Sequence, residues 1–295
     1  MEQRTLHHGS LSFTTFGCGP LSDPRAPLVL CLHGFPDNPK TFRYMLPALA
    51  EKGFRVLAPT LRGYEPSSQP SDGDYQLSTL ARDVVAWLDD LDVEQAHLVG
   101  HDWGAGITYA AGALAPERFL SLTTIAVPHA PRMIQAARSL PSQFLKSWYM
   151  LFFQWRGIAD WIVARNNWAF IHWLWEKWSP GYNLTEESWQ DLCNTFSKPG
   201  VQSAMLAYYR QNASPLTMLG LHTTESQRWT TVPVRTLAFT GANDQCIDTR
   251  LYERAFHDKD FPHGFQIERI PNAGHFAHLE QPDMIHHKLL DWLQR

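Results

Sequence analysis

Asp102 is the residue whose position most clearly suggests chemistry. It lies in the run Val99-Gly100-His101-Asp102-Trp103-Gly104-Ala105-Gly106, between a short apolar segment at residues 96–99 and a helix-compatible segment at residues 107–114. Glycines two residues before and two residues after Asp102 allow a sharp strand-to-helix turn. A carboxylate at the first turn of a helix stays ionised, because free N–H groups and the helix dipole favour negative charge. Asp102 is therefore a candidate nucleophile that would form an ester with a substrate carbon; the alternative is an N-cap aspartate in a glycine-rich turn.

Two further side chains could complete such a reaction. His275 follows Asn272-Ala273-Gly274 after a predicted strand, and it could activate the water that hydrolyses the ester. Asp244 follows another predicted strand and could hold the imidazole in its working tautomer. Asp248 is the alternative orienting acid, whereas residues 119–159 contain no Asp or Glu. His101 is better explained as a packed, hydrogen-bonded histidine than as a base.

The elements that must position these residues alternate along the chain. Apolar runs predict strands, and apolar residues at helical spacing predict helices. The predicted strands are residues 11–16, 27–32, 54–58, 96–99, 119–127, 232–240 and 265–270; the predicted helices are residues 41–52, 77–91, 107–114, 249–257 and 284–293. This alternation predicts an α/β fold with a mostly parallel central sheet flanked by helices. The carboxyl ends of parallel strands share one edge, so distant candidate residues can converge there.

One stretch departs from this alternation. Residues 131–219 show no buried-strand pattern and hold eight of the twelve tryptophans: Trp148, Trp155, Trp161, Trp168, Trp173, Trp175, Trp178 and Trp189. We interpret this stretch as a helical lid inserted between two strands of a core formed by residues 1–130 and 220–295. Such an insertion would cover the carboxyl ends of the strands, where ligands bind in open α/β sheets. The Trp-rich composition favours a small apolar substrate.

Composition limits the other function classes. The 295 residues are 44% hydrophobic and 18% charged with a net charge of -4, so nothing indicates nucleic acid or a membrane surface as a partner. The first residues lack the apolar core of a signal peptide, which favours a cytoplasmic protein. The four cysteines form no C-x-x-C pair and the histidine pairs lack a third ligand, so we expect free thiols and no metal or cofactor. Either a monomer or a homodimer is compatible with the sequence.

Four motifs together resemble the α/β-hydrolase superfamily and, within it, the soluble epoxide hydrolases. They are His33-Gly34-Phe35-Pro36, Gly100-His101-Asp102-Trp103-Gly104, Gly241-Ala242-Asn243-Asp244 and Gly274-His275-Phe276. The chain order of nucleophile, acid and histidine is that of the superfamily triad. The resemblance implies an oxyanion hole from the backbone N–H groups of Phe35 and Trp103. It also implies a substrate site that includes His33, Pro36 and Trp103.

The resemblance further implies two lid tyrosines that hydrogen-bond the epoxide oxygen. Tyr208-Tyr209-Arg210-Gln211-Asn212 matches the family motif at Tyr209, and Tyr149 precedes a Phe-Gln pair as the first family tyrosine does. Adjacent helical residues point about 100° apart, so Tyr208 is an alternative to Tyr209 rather than its companion. An alkoxide leaves poorly without a proton donor, which is the chemical reason for these phenols.

The expected function is hydrolysis of an epoxide to a vicinal diol through a covalent ester on Asp102. A haloalkane dehalogenase uses the same nucleophile and is the main alternative, in which Trp103 would bind the halide. That family usually carries Asn or another polar residue at the position of Phe35. An ordinary esterase would carry Ser at position 102. A non-catalytic binding protein of the same fold is the remaining alternative.

Overall fold

Eight strands form one sheet in a computed structural model that describes residues 1–295. The strands are β1 (Glu2–His8), β2 (Leu11–Cys18), β3 (Leu28–Leu32), β4 (Arg55–Pro59), β5 (Ala96–His101), β6 (Phe119–Ile125), β7 (Thr236–Gly241) and β8 (Phe265–Ile270). Their order is β1-β2-β4-β3-β5-β6-β7-β8. The pairs β1–β2 and β2–β4 are antiparallel and all the others are parallel, which confirms the predicted mostly parallel sheet.

Helices cover the sheet. They are α1 (Met45–Ala50), α2 (Leu77–Asp90), α3 (Trp103–Leu114), α4 (Ala130–Ala137), α5 (Pro141–Lys146), α6 (Trp148–Phe152), α7 (Ile158–Trp178), α8 (Glu186–Phe196), α9 (Val201–Asn212), α10 (Pro215–Met218), α11 (Glu225–Arg228), α12 (Tyr252–Ala255), α13 (Ala277–Glu280) and α14 (Pro282–Leu293), with short 3-10 helices between them. No helix is both long enough and apolar enough to cross a membrane.

The sheet has a hydrophobic core on each face. Side chains alternate between the faces of a strand, so Leu28 and Leu30 of β3 join one buried cluster while Val29 and Cys31 join the other. All five residues of β3 are buried, as expected for a strand covered on both sides. This double cover explains why the central strands appear in the sequence as continuous apolar runs.

The chain between β6 and β7 contains no strand. Eight helices, α4 to α11, occupy residues 130–228, and we call this part the helical segment. Its longest helix, α7, is interrupted at Arg165–Trp168, where Asn166, Asn167 and Trp168 adopt positive φ values. The helical segment packs against the carboxyl edge of the sheet; for example, Trp175 Nε1 donates a hydrogen bond to the Pro36 carbonyl at 2.8 Å.

The structure adds one strand to the prediction and changes the bounds of several predicted elements. β1 was not predicted, because an edge strand with exposed polar residues on both faces lacks an apolar pattern. The helix expected at residues 41–52 is a 3-10 turn, Pro39–Phe42, followed by the shorter α1. Residues 249–257 likewise divide into a 3-10 turn and α12. β7 begins at Thr236 rather than at residue 232.

Candidate active site

Asp102 occupies a strained turn between β5 and α3. Its φ of 51° and ψ of −117° lie outside the regions that non-glycine residues prefer, at a cost of about 1–3 kcal/mol. The neighbouring glycines make the turn possible. A Cβ on Gly104 would lie 2.0 Å from the Leu32 carbonyl oxygen, and one on Gly100 would lie 2.1 Å from that of Gly104. The strain and the close packing hold the Asp102 carboxylate at the carboxyl edge of the sheet.

The backbone of the loop after β3 contacts this carboxylate. The Phe35 N–H donates a hydrogen bond to Asp102 Oδ1 at 2.8 Å. The Trp103 N–H begins α3, so it has no acceptor within its own helix. Of the two N–H groups predicted for the oxyanion hole, that of Phe35 binds the Asp102 carboxylate, and that of Trp103 belongs to the residue that follows Asp102.

His275 lies between two carboxylates. Its Nδ1 is 3.0 Å from Asp244 Oδ2, and its Nε2 is 3.4 Å from Asp102 Oδ2. Asp244 Oδ1 accepts backbone N–H bonds from Cys246 at 2.7 Å and Ile247 at 2.9 Å. Burial acts to lower the pKa of His275, but Cys246 and the two carboxylates act to raise it and prevail, so the pKa is well above its usual value.

Asp248, the alternative orienting acid, has other partners. Arg250 Nη2 and Ser142 Oγ each lie 2.6 Å from its Oδ2. The hydrogen bond from the Arg250 guanidinium lowers the pKa of Asp248 below its usual range. The structure therefore places Asp244, and not Asp248, against His275.

Two histidines near the site contact backbone groups. His33 Nε2 accepts a hydrogen bond from the Leu61 N–H at 3.1 Å, which leaves Nδ1 to donate to the Gly34 carbonyl at 3.1 Å. Burial lowers the pKa of His33 to about 4, so it is neutral and supports the loop that carries Phe35. His101 Nε2 lies 3.0 Å from the His275 carbonyl oxygen, and burial lowers its pKa to about 3. Both are buried, hydrogen-bonded histidines, as expected for His101 but not for the predicted substrate contact His33.

The helical segment contributes two phenols that lie close enough to Asp102 for its charge to affect both. Tyr149 of α6 and Tyr209 of α9 are buried, with ring centroids 5.7 Å apart. The Tyr209 ring lies 5.1 Å from Phe35 and 5.0 Å from Trp103. Burial raises the pKa of both phenols well above its usual value, and the nearby Asp102 acts in the same direction. Both hydroxyls therefore remain protonated and can donate hydrogen bonds.

Tyr208, the neighbour of Tyr209 in α9, contacts a different set of residues. Its hydroxyl donates to the Arg62 carbonyl at 2.7 Å, and its ring stacks on Tyr75 with a centroid distance of 5.8 Å. The Tyr209 hydroxyl, by contrast, is buried with no hydrogen-bond partner. A buried hydroxyl without a partner is costly, so Tyr209 is the one of the pair that is arranged to bind something else.

An apolar pocket lies next to Trp103, the residue that follows Asp102. Its cavity volume is about 120 Å³, and it lies between α3 and helices from both ends of the helical segment. Trp103 is the residue that the pocket shares with the site described above. Apolar side chains dominate the lining, among them Met133, Ile134, Phe144, Met150 and Met218.

Two neighbours of His275 and Asp244 are not among the predicted site residues. The Trp178 carbonyl accepts the backbone N–H of His275 at 3.1 Å, and the Trp178 ring lies 5.2 Å from the imidazole. Cys246 Sγ lies 3.4 Å from the Tyr149 hydroxyl. Cys246 is only two residues from Asp244, so its proximity to the site could have been predicted from the sequence. Nothing in the sequence links Trp178 to His275.

Three buried residues behind the triad have atoms suited to a metal ion. One ligand atom from each of Asp37, His101 and His278 lies within 4.8 Å of the others. His278 Nε2 also lies 2.6 Å from Thr41 Oγ1. His101 faces the backbone of His275 rather than the pocket, so this cluster is separate from the groups that surround Asp102. The expectation that the protein needs no metal stays a prediction.

Comparisons with known proteins place this geometry in a family. A family model described as alpha/beta hydrolase fold matches residues 27–282. Human "Epoxide hydrolase 4" is 29% identical over 275 residues, covering 91% of this chain and 72% of that protein. "Epoxide hydrolase A" of Mycobacterium tuberculosis is 40% identical over 141 residues, covering 47% of this chain and 44% of that protein.

Solved structures give the same result for the fold. An epoxide hydrolase from Bacillus megaterium in complex with an inhibitor aligns with a TM-score of 0.84 at 23% identity, covering 99% of this chain and 100% of that one. Epoxide Hydrolase A from Mycobacterium thermoresistibile aligns with a TM-score of 0.81 at 25% identity, covering 99% and 98%. The sheet order and the matched family model agree: the chain belongs to the α/β-hydrolase fold family, and its epoxide hydrolases are the members that it resembles.

Proposed function

We propose that this protein is an epoxide hydrolase that needs no cofactor and forms a covalent ester on Asp102. The observation that carries the proposal is the pair of buried, protonated phenols, Tyr149 and Tyr209, near the Asp102 carboxylate. A carboxylate can open an epoxide ring only if the departing oxygen receives a proton or a strong hydrogen bond. The helical segment acts as the lid that supplies these donors, and the adjoining apolar pocket holds the substituent of a small apolar epoxide.

In the first step, Asp102 Oδ2 attacks a ring carbon and the carbon–oxygen bond breaks. Oδ2 is the less tightly held oxygen, because Oδ1 accepts the Phe35 N–H at 2.8 Å whereas Oδ2 has only the 3.4 Å contact with His275 Nε2. The departing alkoxide takes a proton from Tyr149 or Tyr209, and the products of the step are a hydroxyalkyl ester and a phenolate that regains its proton from solvent. Oδ1 becomes the ester carbonyl oxygen and remains at the oxyanion hole.

In the second step, water attacks the Asp102 carbonyl carbon. Conversion of the Asp102 carboxylate to a neutral ester removes a negative charge next to His275 and lowers its pKa, so the imidazole becomes able to accept a proton from water. The N–H groups of Phe35 and Trp103 stabilise the tetrahedral oxyanion, and each such donor is worth about 10²–10³ in rate. Collapse returns the proton to the departing alkoxide and releases the diol.

The test is a single turnover of styrene oxide in water labelled with heavy oxygen, with enzyme in excess. We expect the label in the Asp102 carboxylate, detected by mass spectrometry of its peptide, and unlabelled diol. The His275→Gln variant is the matched control, since it should form the ester and fail to hydrolyse it. Label found first in the diol contradicts the ester intermediate. Bromide release from 1-bromobutane without diol formation from styrene oxide would assign the chain to the dehalogenase alternative.

A further inference from the structure

Cys246 contacts both Asp244 at the sheet edge and Tyr149 of the helical segment. Its backbone N–H donates to the triad acid Asp244 at 2.7 Å, and its Sγ lies 3.4 Å from the Tyr149 hydroxyl. The side chain is 1% exposed, and the Gln143 amide donates to its carbonyl at 3.2 Å. The loop that orients Asp244 therefore also places a sulfur atom against the lid phenol.

The Cys246 sulfur is the sole hydrogen-bond partner of the Tyr149 hydroxyl. The neighbouring Tyr209 hydroxyl has no partner at all, although both rings are buried. A thiol is a weak donor and a weak acceptor. It can keep the phenol pointing into the site while leaving the phenol proton free for a stronger acceptor, such as a strained ether oxygen.

The thiol itself remains neutral. Burial raises the pKa of Cys246 and outweighs His275, which acts to lower it through its charge and a hydrogen bond; Asp244 and Asp102 act in the same direction as burial. A neutral thiol does not compete with Asp102 as a nucleophile, because the thiolate is the reactive form.

We propose that Cys246 is a positioning residue that orients the Tyr149 hydroxyl toward the epoxide oxygen. The proposal rests on the proposed function, in which Tyr149 is a proton donor. The contact also implies that the length of the side chain matters, since Sγ reaches the phenol from the loop after β7. Serine keeps a polar atom but shortens the reach, and alanine removes it.

A double-mutant cycle with styrene oxide tests this role. Cys246→Ala should slow the single-turnover ring-opening rate about tenfold in the wild-type background, the loss expected for one modest hydrogen bond. It should have no further effect in a Tyr149→Phe background, and Cys246→Ser should restore part of the rate. Cys193→Ala, at another buried free cysteine, is the matched control and should leave the rate unchanged. Equal losses in both backgrounds would show a purely structural role and overturn the proposal.

A spectroscopic measurement tests the contact without substrate. The S–H stretching band of Cys246 is identified in infrared difference spectra by its loss in Cys246→Ala. We expect Tyr149→Phe to shift this band and Tyr208→Phe to leave it in place. If the band does not move in Tyr149→Phe, the thiol does not bind the phenol and the proposal is wrong. A shifted band in a protein that fails to hydrolyse styrene oxide would refute the proposed function while supporting the contact.

Discussion

The sheet edge and the helical segment supply different kinds of group to the same site. Asp102, Asp244 and His275, at the sheet edge, are ionisable, and each has partners at 2.7–3.4 Å among backbone N–H groups or one another. Tyr149 and Tyr209, from the helical segment, are neutral and have one sulfur contact between them. The charged groups are thus held in place before substrate arrives, and the neutral donors are left open to it.

This difference follows from the cost of burial. An ionised carboxylate inside a protein must be paired or hydrogen-bonded, and backbone N–H groups at strand ends do this without side-chain entropy. A buried phenol without a partner costs far less. A site assembled in this way keeps its charges fixed and reserves its unmet hydrogen bonds for the reacting oxygen.

The largest expected effect comes from removing a charged group at the sheet edge. Asp102→Asn removes the nucleophile with little change of shape, and we expect turnover of styrene oxide to fall by about 10⁴-fold or more. Intact mass measured before the assay checks that the amide has not hydrolysed back to the acid. Substantial turnover by the intact amide would exclude the ester mechanism.

The next effect distinguishes the two candidate acids. Asp244→Asn should lower turnover by about 10³-fold or more, because His275 loses the partner that fixes its tautomer. Asp248→Asn is the matched control and should leave turnover near the wild-type value, since its partners are Arg250 and Ser142. The opposite ranking in steady-state assays would make Asp248 the orienting acid.

Substitutions of the adjacent Tyr208 and Tyr209 test the neutral donors of the helical segment. Tyr209→Phe should lower the ring-opening rate by about 10²-fold, because a proton donor is lost. It should not lower the free energy of unfolding, since its hydroxyl has no partner. Tyr208→Phe should do the reverse: it should cost about 1 kcal/mol for the lost bond to Arg62 and leave the rate unchanged. Stopped-flow kinetics measures the ring-opening rate and urea unfolding measures the free energy of unfolding. Equal effects of the two variants on both quantities would contradict the different roles assigned to Tyr208 and Tyr209.

The smallest expected effect is the contribution of His275 to the pH dependence of the free energy of unfolding. The pKa of His275 is higher in the folded chain than in the unfolded one, so the folded state binds this proton more tightly. Its contribution to stability is therefore fully present below the unfolded pKa of about 6.5 and is lost as pH rises through the folded pKa, by up to about 1.4 kcal/mol per pH unit. Urea unfolding of wild type and His275→Gln above pH 6.5 measures this difference, and identical slopes would contradict the raised pKa.

Local sequence was enough to predict the strand ends that carry the site and the sharp turn at Asp102. Gly100 and Gly104 flank Asp102 because no side chain fits there, and a glycine pattern of that kind is visible without a structure. The central strands were recognisable because burial on both faces requires continuous apolar residues. β1 was not, because an exposed edge strand is under no such requirement.

The sequence by itself determined the order of Asp102, Asp244 and His275 along the chain. It also determined the glycines that allow Asp102 to occupy a sharp turn. The choice between Asp244 and Asp248, and between Tyr208 and Tyr209, was made only by tertiary structure. Each pair is close in sequence, and its members differ in what long-range packing brings to them: His275 for Asp244, Arg62 for Tyr208, and an open position beside Phe35 for Tyr209. Such partners lie 31 to 174 residues away, so no local pattern can encode which side chain will meet them.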